Sequence, residues 1–261
     1  MSQTTIRFDD GAGYERMMGV WSRLAGSTFL DWLQPPQGLR WLDVGCGNGA
    51  FTALLASRCE PAALTGIDPS EGQLAYARQR TDTPGATYLQ GDAMALPVAD
   101  AGFDAAVMAL VLFFVPDPAR GVAEMVRAVR PGAVVSAYAW DILGGGFPLA
   151  PLGKEMRGLG IEALMPPSVD AANLDRMQEL WRGAGLTDVR TTSIDVRRTF
   201  ESFDDLWDTA MVGSSSRQRI LEQTPEVQRE LKDRVRARCT PDAQGRITWA
   251  ARANAVCGTK R

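Results

Sequence analysis

The sequence predicts a doubly wound α/β domain on a mostly parallel, seven-stranded sheet. Three observations lead there: apolar strand patterns alternating with helical ones between residues 39 and 140, a glycine-rich turn directly after the first strand, and two longer alternating segments near the C-terminus. Strands covered by helices on both faces lack a polar side, as in Ala105-Ala106-Val107-Met108-Ala109-Leu110.

In chain order, Tyr14 to Leu33 places Met17, Met18, Trp21, Leu24, Ala25, Phe29 and Trp32 at helical spacing and stops at Pro35-Pro36. Strands are expected at Leu39 to Val44, Ala62 to Ile67, Ala86 to Gln90, Phe103 to Ala109 and Ala133 to Trp140. Helices fall between them at Ala50 to Arg58, Ser70 to Gln79 and Pro118 to Val129. Ser70 is suited to cap the second of these, with Glu71 in its first turn. Pro131-Gly132 reads as the turn before the fifth strand. Beyond Asp141 the rhythm breaks into a Gly- and Pro-rich stretch, then a helix from Asn173 to Ala184. Leu186 to Val196 and Arg246 to Cys257 follow as an antiparallel closing pair, with helices near Asp204 to Val212, Arg217 to Glu222 and Glu226 to Arg238 between them. One domain over 1–261 is expected, with N-terminal helices in 1–38, a cofactor-binding core in 39–140 and inserted segments at 141–184 and 199–245.

The chain's 28 basic and 31 acidic residues give a net charge of −3, with no cationic excess to hold a phosphate backbone. A nucleic-acid partner is not expected. The start lacks the pattern of a secretory signal, and the longest apolar run, Ala105 to Val115, is too short to span a bilayer, so a cytoplasmic location and no membrane partner are expected. No histidine occurs, and the four cysteines form no C-x-x-C pair. That argues against a metal site and removes Ser-His-Asp and Cys-His catalysis together.

Leu42-Asp43-Val44-Gly45-Cys46-Gly47-Asn48-Gly49 delivers a strand end to a glycine loop that opens a helix, a place where a ligand can approach main-chain N–H groups. Gly45, Gly47 and Ala50 also satisfy the dinucleotide pattern G-x-G-x-x-A, with Asp68 at the distance expected for a ribose hydroxyl.

Several motifs in order resemble the class I S-adenosylmethionine-dependent methyltransferases, in particular the small-molecule branch that includes ubiquinone and menaquinone biosynthesis enzymes. Leu42-Asp43-Val44-Gly45-Cys46-Gly47 resembles the family's cofactor loop, and Gly66-Ile67-Asp68-Pro69-Ser70 the end of its second strand. Gly91-Asp92-Ala93 is similar to the element that meets adenine, while Phe103-Asp104-Ala105-Ala106-Val107 and Val129-Arg130-Pro131-Gly132 resemble the fourth strand and the turn before the fifth. The resemblance covers roughly residues 14 to 140 and implies a Rossmann-like methyltransferase fold, S-adenosylmethionine as cofactor and a small-molecule acceptor. It brings Asp43, Gly45, Cys46, Gly47, Asp68, Pro69, Asp92, Ala93 and Met108 to the cofactor, with Tyr14 and Trp21 closing over it.

Residue chemistry agrees. The two acceptor oxygens of Asp68 suit a cis-diol, Asp43 below the loop complements a cofactor bearing an ammonium and a sulfonium, and Asp92 can accept from an exocyclic amine. Family members often carry a histidine in the segment matching Val111 to Asp117, where this chain has Phe113 and Phe114. Phe113 and Trp140, at strand ends, are read as lining an acceptor pocket, under a cap formed by the two insertions. The groups left to act as a base are Tyr14, Glu15, Tyr138 and Asp141, none in a recognisable motif. Other readings stay open on these residues alone: a NAD-dependent oxidoreductase, a non-catalytic binding module, an RNA methyltransferase, and a homodimer contact in place of the cap.

Overall fold

The computed structural model describes residues 15–162, 164–212 and 215–261. Tyr14 and the side chain of Glu15 lie outside the described residues. A π-helical turn, Glu15–Gly19, runs into α1 (Val20–Leu33), followed by β1 (Arg40–Val44), α2 (Ala50–Cys59), β2 (Ala63–Asp68), α3 (Glu71–Ala77), β3 (Thr87–Gln90) and β4 (Phe103–Ala109). After a 3-10 turn at Leu112–Phe114 come α4 (Pro118–Ala128), β5 (Val129–Trp140), α5 (Ala150–Gly158), a 3-10 turn at Val169–Ala172, and α6 (Leu174–Gly183). The chain closes with β6 (Thr187–Phe200), α7 (Phe203–Ala210), α8 (Ser215–Leu221), α9 (Pro225–Ala237) and β7 (Ile247–Thr259).

Among the described residues the sheet has seven strands in the order β3-β2-β1-β4-β5-β7-β6. β1 to β5 pair in parallel, and β7 runs antiparallel between β5 and β6. The expected C-terminal pair is therefore antiparallel within itself, but only β7 opposes the rest of the sheet. This is the doubly wound, mostly parallel architecture that the strand pattern predicts. Its order reverses at β1/β4, where α/β sheets open a crevice at the carboxyl ends of their strands.

Helices α1 and α2 pack together on one face, with α1 reaching β6 and β7; α4 and α6 cover the other. Two of the helices show a local reason for where they begin. Asp117 caps α4 through Arg120 N–H, with Pro118 in the first turn, where its missing N–H costs nothing. Ser70 caps α3 as expected, accepting from Gln73 N–H.

Three sequence expectations are corrected. Pro131-Gly132 is an irregularity inside β5, which already pairs at Val129 with Phe103; Gly132 takes φ 78° and its N–H donates to Lys260 O. Helix α5 lies where breakers suggested loop, because Pro151 sits in its first turn and Leu152, Glu155 and Met156 repeat at helical spacing toward the interior. Residues 173–184 do not belong to an insertion: α6 lies on β6 and β7, and its buried Trp181 donates Nε1–H to Val135 O at 2.8 Å.

At the amino edge Asp104 accepts from Arg40 N–H and Nε–H, both at 2.9 Å, and from Arg130 Nε–H at 2.7 Å. The Arg40 hydrogen bond is the largest influence holding its carboxyl well below the usual range. A carboxylate depressed on folding contributes stability above its unfolded pKa of about 3.9 and loses that contribution as the pH falls through the folded value. Asp104→Asn is expected to cost about 1–2 kcal/mol at pH 7, discounted for the exposed arginines. Urea titrations should show the gap to wild type shrinking as the pH drops below about 4; a gap independent of pH would show that the charge contributes nothing.

Candidate functional site

The turn after β1 is shaped by hydrogen bonds to its neighbour β2. The N–H groups of Gly45 and Cys46 both donate to Ile67 O, at 2.7 and 3.0 Å, and Gly47 N–H donates to Asp68 Oδ2 at 2.9 Å. Gly49 N–H donates to Cys46 O and Ala50 N–H to Asn48 Oδ1. These five N–H groups are satisfied within the protein. A pyrophosphate needs such groups pointing outward at the helix N-terminus, so the dinucleotide reading loses its main support.

Asp43 forms the floor of this loop. It is 0% exposed, and Thr52 Oγ1, from α2, donates to its Oδ2 at 2.7 Å. Its Oδ1 is buried with no hydrogen-bond partner among the described residues. Burial pushes the carboxyl up to about 7, opposed by the Thr52 hydrogen bond and reinforced by the negative charge of Asp68. An unpartnered buried acceptor of this kind is costly unless a donor arrives, and a ligand ammonium is such a donor.

Asp68 ends β2 at 9% exposure, with Gly47 N–H on Oδ2 and Ser70 N–H on Oδ1, both at 2.9 Å. Burial raises its carboxyl and the two N–H groups oppose that. Each oxygen still has a lone pair, enough for a diol. Beside it, Pro69 is exposed and its carbonyl accepts from Gln90 Nε2. Gly91 N–H donates to Asp68 O, and the exposed Asp92 accepts Met94 N–H at 2.8 Å, with Ala93 half-buried between them. Hydrogen bonds thus tie the glycine loop to the end of β2, and the end of β2 to the segment after β3 that carries Asp92 and Ala93. Cys46 joins by its backbone only; its buried thiol packs with Leu74, Ala77 and Tyr88, and burial pushes it up.

The segment after β4, expected from sequence at the acceptor end, meets the glycine loop through a turn that the sequence does not announce. Just past β4, Leu110 adopts φ 63°, and its N–H donates to Tyr138 O at 2.7 Å. A non-glycine residue in the left-handed region stores strain that clusters at functional sites. This turn lays Val111 on Gly45: a methyl group added at Gly45, where φ is 76°, would sit 2.4 and 2.6 Å from the two Val111 Cγ atoms. The only signal was the end of an apolar run without a glycine, which does not announce a left-handed leucine.

Other expected site residues lie elsewhere. Met108 is fully buried and turned toward Gly121 of α4, on the face away from Asp43 and Thr52. Strand alternation forces this, since neighbouring Val107 is the residue paired with Asp43. Tyr138 is buried beneath α1 and α2, its ring 4.8 Å from Phe29 and 5.5 Å from Phe51, and so is no candidate base for the crevice. Trp21 is 1% exposed and packs on Phe200 of β6, a core role in place of closure over a cofactor. Phe113 and Trp140 are buried in the same core; Phe113 meets Phe114 edge-on, and its carbonyl accepts from Ser168 N–H. Asp141 accepts Gly144 N–H at 3.0 Å and ties the 141–146 turn, whose Gly146 N–H returns to Asp141 O.

Comparison with known proteins agrees with this geometry. Residues 42–137 match a family model described as a methyltransferase domain. The chain is 40% identical over 115 residues to a 2-phytyl-1,4-naphtoquinone methyltransferase of Thermosynechococcus vestitus, covering 43% of this chain and 49% of that one. It is 34% identical over 132 residues to a demethylmenaquinone methyltransferase of Staphylococcus aureus, covering 50% and 53%. The chain thus spans about half the length of the curated relatives it matches. A solved SAM-dependent methyltransferase from Thermotoga maritima superposes with a TM-score of 0.56 at 20% identity, over 97% of this chain and 98% of that one, a likeness of fold. Residues 42–137 thus match the model of a methyltransferase domain, and the seven-stranded sheet that carries them has the fold of solved methyltransferases.

Proposed function

We propose that this chain transfers a methyl group from S-adenosylmethionine to a small, apolar or aromatic acceptor. The observation that carries the reading is the buried, unpartnered Oδ1 of Asp43 below a loop whose N–H groups are already satisfied: the site asks for a cation and has little to offer a pyrophosphate. In this reading Asp43 faces the ammonium of the cofactor, Asp68 the ribose diol and Asp92 the adenine amine. Relatives named for naphthoquinone and menaquinone substrates support an apolar acceptor.

When bound, the cofactor supplies an electrophilic methyl on a sulfonium. The protein's part is alignment. β6 runs parallel to β5, so the segments after both strands leave the sheet at the same carboxyl edge as the glycine loop. They also join each other: α5 packs on α9, and Arg238 forms an ion pair with the buried Glu155. We read 141–172 and 201–246 as a cap that excludes water and orients the acceptor. Holding two reactants in line contributes about 7–11 kcal/mol, more than a positioned base supplies. Tyr138 is buried and Asp141 is engaged in its turn, which leaves Tyr14 and Glu15 among the candidate bases; in this reading none is essential, and the transfer relies on an acceptor already nucleophilic enough. The free cysteines support a reducing, cytoplasmic setting, and the acidic charge balance argues against nucleic acid. Among the described residues no helix is long and apolar enough to cross a membrane.

A melting experiment tests the cofactor. S-adenosylmethionine or S-adenosylhomocysteine at about 100 times Kd should add about 2.7 kcal/mol of apparent stability, with NAD and NADP leaving the transition unmoved. Equal stabilisation by NAD would move the protein to the oxidoreductases.

A further inference from the structure

Behind the glycine loop lies a second buried polar group that the cofactor reading does not use. Tyr88, on β3, is 8% exposed, and its hydroxyl has no hydrogen-bond partner among the described residues. The ring crosses the strand beside it at Gly66, where an added methyl would lie 2.9 Å from Tyr88 Cδ1 and 2.8 Å from Cys46 Sγ. The hydroxyl ends under the start of α2: a methyl on Gly49 would lie 2.9 Å from it. It is within reach of the hydroxyls of Thr83 and Thr52 without closing a well-formed bond to either. Thr52 is the residue that donates to Asp43 Oδ2.

A threonine hydroxyl has one proton and two lone pairs. With its proton on Asp43, Thr52 Oγ1 can only accept from Tyr88, and an accepted hydrogen bond strengthens the one it donates. The chain Tyr88–Thr52–Asp43 therefore has one consistent direction, toward a charged Asp43. Two buried atoms are unpartnered, one at each end: the Tyr88 hydroxyl and Asp43 Oδ1.

Resting on the cofactor reading above, we propose that Tyr88 is a positioning residue that acts through Thr52 to hold Asp43 ionised when the ligand ammonium reaches its Oδ1. Binding then closes both ends of the chain together and drives the proton off Asp43. The groups around Asp43 are Asp68 on β2, Cys46 in the loop, Tyr88 on β3 and Thr52 on α2, with Arg78 and Arg80 beyond Cys46 and Tyr88. Asp43 has its carboxyl brought to about 7 and burial also raises that of Asp68, so affinity for the cation should rise with pH through neutrality.

Calorimetric titration of the full chain with S-adenosylhomocysteine from pH 6 to pH 8.5 tests this, since that ligand keeps the ammonium without the sulfonium. Wild type should bind more tightly as pH rises and release a proton on binding. Tyr88→Phe, which removes one oxygen and keeps the ring, should weaken binding about five- to tenfold near pH 7 and move the pH midpoint upward. Its ligand-free stability should not fall, since deleting an unpartnered buried hydroxyl is close to neutral. In an Asp43→Asn background the same change should have no further effect. Binding by wild type with an unaltered Tyr88→Phe profile would overturn the relay and leave the cofactor assignment standing. An equal loss at every pH, persisting in Asp43→Asn, would reduce Tyr88 to packing. No binding by wild type would overturn the cofactor assignment and the relay with it.

Discussion

Gly45→Ala is expected to destabilise the fold by about 3 kcal/mol and to abolish cofactor binding. Two costs meet at one atom. The backbone there has φ 76°, which costs an alanine about 1–2 kcal/mol. The new Cβ would also lie 2.4 and 2.6 Å from the Val111 methyls, well inside contact distance, and overpacking of this kind costs about 1–3 kcal/mol more. The two separate by experiment: Val111→Ala in the Gly45→Ala background should recover the steric part and leave the conformational part. Urea unfolding reads both. Full recovery would mean the left-handed backbone carries no cost, and no recovery would mean the loop had moved away from Val111.

Asp68→Ala is the second large effect, and it should fall on affinity more than on the chemical step. The carboxylate holds Gly47 N–H on one oxygen and Ser70 N–H on the other, so its loss loosens the loop and the start of α3 as well as removing the partner proposed for the diol. Two charge-assisted hydrogen bonds at about 1.5 kcal/mol each amount to about a hundredfold in Kd. Calorimetry should show at least a tenfold loss, with the single-turnover rate at saturating cofactor reduced far less. Asp68→Asn, which keeps one acceptor oxygen, should fall between. Unchanged affinity in Asp68→Ala would remove the residue from the site.

The glycine loop and the acidic strand ends were legible because their requirements are local. A strand that must end in a tight turn shows its glycines, and carboxylates at successive strand ends show their spacing, so Asp43, Asp68 and Asp92 could be named from sequence, and the structure places Asp43 on β1, Asp68 at the end of β2 and Asp92 just past β3. Side-chain direction was not legible. Met108 and Val107 are both apolar and both buried, and only the pairing of β1 with β4 decides which faces Asp43. Tyr138, Trp21 and Trp140 went astray for the same reason: an aromatic beside a predicted site looks alike whether it faces a ligand or a helix. Helix α5 was hidden because its polar Glu155 is buried by Arg238, a partner 83 residues away. Such a pair has no trace in local periodicity.

The reversed direction of β7 carries a practical consequence. Its last residues pair beside the start of β5, with Thr259 opposite Val134 and Lys260 N–H on Ala133 O. Polypeptide continuing past residue 261 therefore departs from the amino edge, on the far side of the sheet from the glycine loop. Tethering the molecule by that end to a sensor chip or a resin leaves the crevice facing bulk solution, whereas attachment through α1 would load the helix packed against the cofactor half.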